Sequence, residues 1–168
     1  MERRIDYARV SPGAVHAMLG LENHLAESGL EPKLMDLVKL RASQINGCAY
    51  CIDMHWKDLR GEGENEQRLY GLDAWAESPY YTDRERAALA WTEAVTRVAD
   101  GHVPDAVFEE ARRQFSEAEL ADLTLCIVAI NGWNRLNVAF RSPAGTHQSV
   151  QRPRSGEARR PSQPQATH

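Results

Sequence analysis

The sequence lacks the features of a membrane-spanning or exported protein. None of its apolar runs approaches the roughly 18 consecutive residues that a membrane-spanning helix needs. The opening segment, MERRIDYARV, has basic side chains but no apolar stretch behind them, so we predict no signal peptide. With only three cysteines and no export signal, we expect a reducing, cytoplasmic compartment. There, a close cysteine pair is more often catalytic or metal-binding than structural.

Positive charge is scarce over most of the chain and concentrated at its end. The net charge is −4, yet five arginines and a single glutamate lie from Arg141 onward, so the preceding body is strongly acidic. An acidic body is a poor candidate for binding nucleic acid. Residues 143–168 hold four of the eight prolines and almost no large apolar side chain. We therefore predict one domain over residues 1–142, followed by a basic, disordered tail.

No segment alternates apolar and polar residues as a half-buried strand does, and there is no internal repeat. Apolar residues instead recur every three or four positions, the period of a helix. This pattern predicts an all-α fold. The predicted helices start near Pro12, Pro32, Cys48, Thr82, Pro104 and Ser116, with a short one inside ENEQRLYGLDAW.

The last predicted helix is apolar nearly all round between Leu123 and Ile130, which places it in the centre of the core or in a subunit interface. Ser116 with Glu119 forms a capping box at its start, as Thr82 and Glu85 do for an earlier helix. Gly132 indicates close packing against another helix. The neighbouring residues Trp133, Asn134 and Arg135 either line a pocket or pack the core and an interface, and packing is the preferred interpretation; Trp56, Trp75 and Trp91 are interpreted as core or interface anchors.

The segment NGCAYCIDMHW, residues 46–56, is where chemistry is expected. Cys48, Cys51 and His55 are three and four residues apart, so in a helix they share one face, with neighbouring Cβ atoms roughly 5–6 Å apart. The start of a helix favours an anion and lowers the pKa of a thiol. His55, one turn beyond Cys51, can accept or relay a proton. Together these groups form a thiol redox centre.

Two other interpretations of the cysteine pair stay open. Cys48, Cys51 and His55 could be three ligands of a zinc ion, but a structural site needs a fourth ligand, and the sequence has no second C-x-x-C or histidine pair. The pair could also be inert core. Cys126, the remaining thiol, lies within an apolar helix and is interpreted as a small core residue.

Asp36 lies twelve residues before Cys48, on the preceding predicted helix. If these two helices pack antiparallel across the Asn46–Gly47 turn, its carboxylate approaches His55. There it would orient the imidazole and raise its basicity. The alternative is a solvated surface aspartate.

DLVKLRASQINGCAYCIDMH resembles the core motif of the carboxymuconolactone decarboxylase superfamily, in its alkyl hydroperoxidase D-like (AhpD-like) branch. That motif is an acid, eleven residues, Cys-x-x-Cys, three residues and His, which falls here on Asp36, Cys48, Cys51 and His55. The similarity continues through EQRLYGLDAW, DRERAALAWTEAVT and INGWNRLNVAF and covers roughly residues 5–142.

The resemblance implies an all-helical bundle that assembles as homo-trimers or homo-hexamers. It implies a peroxiredoxin-type alkyl hydroperoxide reductase in which Cys51 attacks the peroxide, Cys48 resolves the sulfenic acid, and His55 with Asp36 relays the proton. A dithiol partner, such as a lipoylated or thioredoxin-like protein, would reduce the disulfide, and neither metal nor organic cofactor is needed. From the residues alone, the helix dipole favours Cys48 as the more acidic thiol and proximity to His55 favours Cys51; the resemblance favours Cys51.

The sequence departs from the family pattern at two positions. Asp36 replaces a glutamate and is shorter by one carbon–carbon bond, about 1.5 Å, so we expect its carboxylate to reach His55 through water or not at all. Tyr50 stands where founding peroxidases have a second histidine. The alternative function is a non-catalytic dithiol sensor or partner-binding protein, followed by a metal-binding protein. A cofactor-free lactone decarboxylase is not expected, because the members resembled here lack the cysteine pair.

Overall fold

The computed structural model describes residues 2–149, which form helices and turns without any strand. The predicted all-α class is confirmed. The helices are α1 (Tyr7–Val10), α2 (Pro12–Glu27), α3 (Pro32–Ile45), α4 (Ala49–Gly61), α5 (Glu66–Tyr70), α6 (Asp83–Thr96), α7 (Val98–Gly101), α8 (Asp105–Gln114) and α9 (Glu117–Phe140), with a single 3-10 turn at Leu72–Ala74 after α5. None of these helices is both long and apolar enough to cross a bilayer.

Most predicted helix starts are found where the capping residues indicated. Both capping boxes form, with Thr82 and Ser116 each accepting a hydrogen bond from the backbone N–H of the glutamate three residues later. The helix predicted to run from Thr82 to Gly101 is, however, interrupted. Arg97 leaves helical geometry (φ −101°, ψ 29°), and the short α7 follows. Three β-branched residues surround this break and weaken the helix there: Val95, Thr96 and Val98.

Helices α3 and α9 form the centre of the bundle. α3 packs against α4, α6 and α9, and α9 also contacts α2, α6 and α8. The main apolar core lies between α2, α3, α6, α8 and α9, and it buries Leu123, Ile127 and Ala129 of α9. A second cluster joins α3 and α4 to α5 and α6 through Leu37, Leu59 and other side chains. The near-continuous apolar character of α9 is therefore explained by its central position.

α3 also buries three charged side chains, Asp36, Lys39 and Arg41. A buried charge is costly unless it is paired. Each of the three has an oppositely charged or titratable partner on a neighbouring helix: His55 on α4 for Asp36, Glu22 on α2 for Lys39, and Glu93 on α6 for Arg41. Charged groups therefore join α3 to three of its neighbours.

The end of the described chain lies against α4. The backbone N–H of Gly145 donates to Asp53 (3.0 Å), and His147 Nε2 lies 2.8 Å from a carboxylate oxygen of Asp58. Residues 143–149, the first part of the predicted tail, therefore contact the helical body. The rest of that tail lies outside the described residues, so the boundary at residue 142 and the predicted disorder stay predictions.

Candidate active site

The two cysteines of the C-x-x-C motif lie at the start of α4 and are joined by a disulfide, with Cα atoms 5.4 Å apart. Gly47 (φ 65°) makes the turn from α3, where its missing side chain permits the left-handed backbone. Cys48 is the N-cap of α4, and its sulfur accepts a hydrogen bond from the backbone N–H of Cys51 (3.3 Å). Cys51 thus occupies the first turn of the helix, where the dipole stabilises negative charge.

Asparagine side chains fix this turn against α9. Asn46 Nδ2 donates to Oδ1 of Asn134 (2.8 Å) and of Asn131 (3.0 Å). Asn134 Nδ2 in turn donates to the hydroxyl of Ser43 (3.0 Å), near the end of α3. Asn134 is therefore a packing residue, as predicted, and its hydrogen bonds hold the segment that presents Cys48.

His55 and Asp36 lie side by side in the interior. Asp36 Oδ1 is 3.3 Å from His55 Nδ1, and only 7% of Asp36 and 5% of His55 are exposed. Asp36 is thus buried, and its interpretation as a solvated surface residue is wrong. The contact is an ion-pair distance without hydrogen-bond geometry: within residues 2–149, neither ring nitrogen of His55 has a hydrogen-bond partner. The expectation that the shorter aspartate would reach His55 through water or not at all is therefore wrong: the contact is direct, although it lacks hydrogen-bond geometry.

A cavity of about 320 Å³ opens onto Cys51. Its lining comes from α1, α2, α3, α4 and α9 and consists of Tyr7, Leu19, Glu22, Asp36, Lys39, Tyr50, Cys51, Met54, His55, Asp58, Trp133 and Asn137. Cys48 is not in this lining. The cavity thus joins three of the four predicted site residues, and Cys51 is the one of the two cysteines that belongs to its lining.

One wall of the cavity is a charged cluster that sequence reasoning missed. Lys39 Nζ lies 2.6 Å from Glu22, whose other carboxylate oxygen accepts a hydrogen bond from the indole N–H of Trp133 (3.1 Å). Burial alone would lower the pKa of Lys39, but the nearby carboxylates of Glu22 and Asp36 act against burial, and the net shift raises the pKa. Lys39 therefore stays charged. Trp133, interpreted from the sequence as packing, also lines the cavity.

Asn137 and Tyr7 are the other functional candidates that were missed. Asn137 Nδ2 lies 3.5 Å from Cys51 Sγ, and its Oδ1 accepts a hydrogen bond from the hydroxyl of Tyr7 (3.1 Å). The spacing of α9 held a signal, because Asn137 follows Trp133 by four residues and so lies on the same helix face. Nothing in the sequence indicated Tyr7, because its approach depends on how α1 crosses the end of α9.

The third cysteine has a different environment. Cys126 is completely buried in the main core, and burial raises its pKa to about 12. It is therefore a neutral core thiol, as predicted. For the zinc interpretation, residues 2–149 contain no group of three or more His, Cys, Asp or Glu side chains arranged to hold a metal ion.

Comparison of the sequence with known proteins identifies a matching family and a relative that aligns over most of the chain. Residues 12–94 match the model of the carboxymuconolactone decarboxylase family. The chain is 38% identical over 146 residues to the uncharacterised protein YdfG of Bacillus subtilis, an alignment that covers 87% of this chain and 99% of YdfG.

Two solved structures extend the comparison. A protein of unknown function from Agrobacterium tumefaciens, named as a candidate AhpD antioxidant defence protein, is 48% identical with a TM-score of 0.84, and the match covers 87% of this chain and all of that one. The debrominase Bmp8 is 24% identical with a TM-score of 0.70, covering 80% of this chain and 73% of its own. With Bmp8 the likeness is one of fold alone.

Proposed function

This chain belongs to the carboxymuconolactone decarboxylase family, in its AhpD-like branch, and from that premise we propose that it is a thiol-dependent peroxidase acting on organic hydroperoxides. The observation that carries the proposal is the cavity that opens onto Cys51, with Cys48 in disulfide contact and His55 and Asp36 in the same lining. A peroxidatic thiol, a resolving thiol and a base are the parts that a two-electron peroxide reduction needs.

The proposed cycle starts from the reduced pair. His55 takes the proton of Cys51, and Asp36 stabilises the resulting imidazolium. The thiolate attacks the terminal oxygen of the hydroperoxide, so that an S–O bond forms, the O–O bond breaks, and the departing alkoxide takes the proton back from His55. The Cys48 thiol then attacks the sulfenic sulfur of Cys51, which closes the disulfide and releases water.

A dithiol must then return two electrons to the disulfide. We propose a lipoylated or thioredoxin-like protein as this reductant and the cytoplasm as the compartment, because its thiol systems keep such pairs reduced. Assembly as a homo-trimer or homo-hexamer is part of the proposal. Exposed apolar side chains on α2 and α9 are consistent with it, since Leu19, Val128 and Val138 are each more than two fifths exposed.

The cavity walls favour an uncharged organic substrate. Leu19, Met54, Tyr50 and Trp133 supply apolar and aromatic surface, and the charged lining groups are already matched to other protein groups. An anionic substrate would meet three carboxylates in this lining against one lysine. We therefore propose alkyl or aryl hydroperoxides as the substrate class.

The test is steady-state consumption of cumene hydroperoxide with dihydrolipoamide as reductant. Wild type should turn over many times, and Cys51→Ser should lose turnover because no sulfenic acid can form. Cys126→Ala is the matched control and should retain the wild-type rate, since that thiol lies outside the cavity. If wild type is oxidised once and then stops with any generic dithiol, the dithiol sensor becomes the better explanation.

The aromatic lining favours one second candidate, reductive removal of halide from an aromatic ring. Tyr7, Tyr50 and Trp133 offer ring surfaces around Cys51 that an aromatic substrate could contact. In this reaction an aryl bromide and the dithiol would give the dehalogenated ring, the disulfide and hydrogen bromide. Release of bromide from a brominated pyrrole under the same reducing conditions, at a rate above that with cumene hydroperoxide, would make this the main activity.

A further inference from the structure

The side chain of Asn137 makes three polar contacts, each to a different group. Nδ2 donates to the backbone carbonyl of Trp133 (2.9 Å) and lies 3.5 Å from Cys51 Sγ, while Oδ1 accepts from the Tyr7 hydroxyl (3.1 Å). A backbone carbonyl only accepts hydrogen bonds, so the NH₂ end of the amide must face Trp133. The second hydrogen of that NH₂ group is then available to the sulfur.

This hydrogen bond gains importance when Cys51 is reduced. A thiolate would carry a full negative charge at a position where the side chain is completely buried and Asn137 is 5% exposed. Hydrogen bonds to a charged acceptor are about twice as strong as neutral ones, and low dielectric strengthens them further. The backbone N–H of Cys51 is engaged with Cys48 Sγ, so the amide of Asn137 supplies stabilisation that this N–H does not.

We propose that Asn137 is a catalytic residue that donates a hydrogen bond to the Cys51 thiolate, and that Tyr7 is a positioning residue that holds the amide in place. The inference rests on the proposed function in one respect, that Cys51 is the attacking thiol. Tyr7 suits its role because burial, followed by the neighbouring Tyr50, raises its pKa and keeps the hydroxyl protonated as a donor.

Other titratable groups line the same cavity as Cys51. They are Tyr50, His55 and Asp58 on its own helix, and Glu22, Asp36 and Lys39 on α2 and α3. All of them remain in the variants described next, so a difference from wild type isolates the contribution of the Tyr7–Asn137 pair.

The experiment measures how fast iodoacetamide alkylates Cys51 in the full-length, reduced protein as a function of pH, with the modified peptide quantified by mass spectrometry. For Asn137→Leu we expect the pH midpoint to rise by about one unit, which makes alkylation about tenfold slower below the midpoint. Tyr7→Phe keeps the ring and should shift the midpoint in the same direction, with a loss of about two- to threefold. Unchanged midpoints in both variants would overturn the proposal.

One control and two milder variants separate a chemical role from a structural one. Thr124→Val removes another side-chain hydrogen-bonding group of α9, one that bonds Trp91 and the Leu120 carbonyl rather than sulfur, and it should leave the midpoint in place. A shift of equal size in this control would overturn the proposal. If Asn137→Leu does not fold, Asn137→Ser and Tyr7→Phe make the same test with smaller changes.

Alkylation needs no peroxide, so this result is independent of the proposed activity. A raised midpoint in the variants together with a wild type that never turns over peroxide supports the hydrogen bond and refutes the peroxidase. Normal turnover with unchanged midpoints supports the peroxidase and refutes the role of Asn137.

Discussion

The two halves of α9 lie close to different thiols, Cys126 and Cys51, and give them different surroundings. Its amino-terminal half contributes Leu120, Leu123 and Cys126 to the main core, where Cys126 is completely buried. Its carboxyl-terminal half carries asparagines at residues 131, 134 and 137, which face the α3–α4 turn and Cys51. Cys51 is as completely buried as Cys126. Burial therefore does not distinguish the two sulfurs, and the groups around them do.

The difference shows what a reactive buried thiol requires. Burial raises the pKa of Cys126 to about 12, and the nearby Lys39 offsets only part of this effect, so the thiol stays protonated. Cys51 has the first turn of a helix, an amide donor and a cavity that opens onto it. The helix turn and the amide donor favour a thiolate, and the cavity offers space for a substrate beside it. One helix thus supplies both an inert site and a reactive one.

The largest expected contrast is in alkylation of the two thiols. In reduced protein at pH 8, we expect iodoacetamide to modify Cys51 at least about a hundredfold faster than Cys126, because a pKa near 12 leaves almost no thiolate there. The sign follows from the raised pKa: Cys126 becomes reactive only as the pH rises toward 12. Peptide mass spectrometry measures both rates, and denatured protein, where the difference should vanish, is the control. Comparable rates in the folded protein would contradict this assignment.

A smaller effect, on peroxidase turnover, is expected when the Asp36–His55 pair is disrupted. Asp36→Asn keeps the shape but removes the charge 3.3 Å from His55 Nδ1, so His55 should be a weaker base. We expect peroxide turnover to fall about 10- to 100-fold, by analogy with the loss of a carboxylate that orients a metal-ligating histidine. The steady-state peroxidase assay measures it. Asp122→Asn is a matched control, because that aspartate pairs with His24 at the surface and should leave turnover unchanged.

The fold was largely predictable because its determinants are local. Proline at helix starts, the two capping boxes and the glycine turn at Gly47 act within a few residues, and each is found in the structure. Packing at Gly132 was also predicted: a Cβ there would lie 2.8 Å from the Met18 side chain. The break at Arg97 was missed because β-branched residues weaken a helix only slightly, and tertiary contacts decide the outcome.

The site was predictable only where its residues share a helix face. Cys48, Cys51 and His55 lie on one segment, so their spacing sufficed to group them. Asp36 depended on how α3 and α4 pack, and spacing could not tell a buried carboxylate from a solvated one. Asn137 contacts Cys51, and Glu22 contacts Trp133, through packing between helices far apart in sequence. Only tertiary structure brings these groups to one cavity.

The asparagines that hold the α3–α4 turn should matter for stability. Asn134→Ala removes a buried amide together with its hydrogen bonds to Ser43 and Asn46. We expect the free energy of unfolding to fall by about 1–3 kcal/mol, measured by urea denaturation. Arg135→Ala, one residue further, changes an exposed side chain whose hydrogen bonds go to Asn131 within the same helix turn, and it should cost less than half as much. Equal losses would mean that the amide network contributes little.

The smallest effect is expected at the start of α9, far from both thiols. The backbone N–H of Ser116, followed by Arg84, lowers the pKa of Glu119 from 4.5 to about 2. Its carboxylate therefore stabilises the fold fully above pH 4.5, and this contribution is lost as the pH falls from 4.5 toward 2. Glu119→Gln can keep the capping hydrogen bonds but not the charge, so it should cost less than about 1 kcal/mol at pH 7. Urea denaturation at pH 7 and pH 3 should show a smaller difference in the free energy of unfolding between wild type and variant at the lower pH.

Because the Cys51 site does not include this end of the helix, the pH midpoint for alkylation of Cys51 should not move in the Glu119→Gln variant. A shift would mean that the two halves of α9 are not independent.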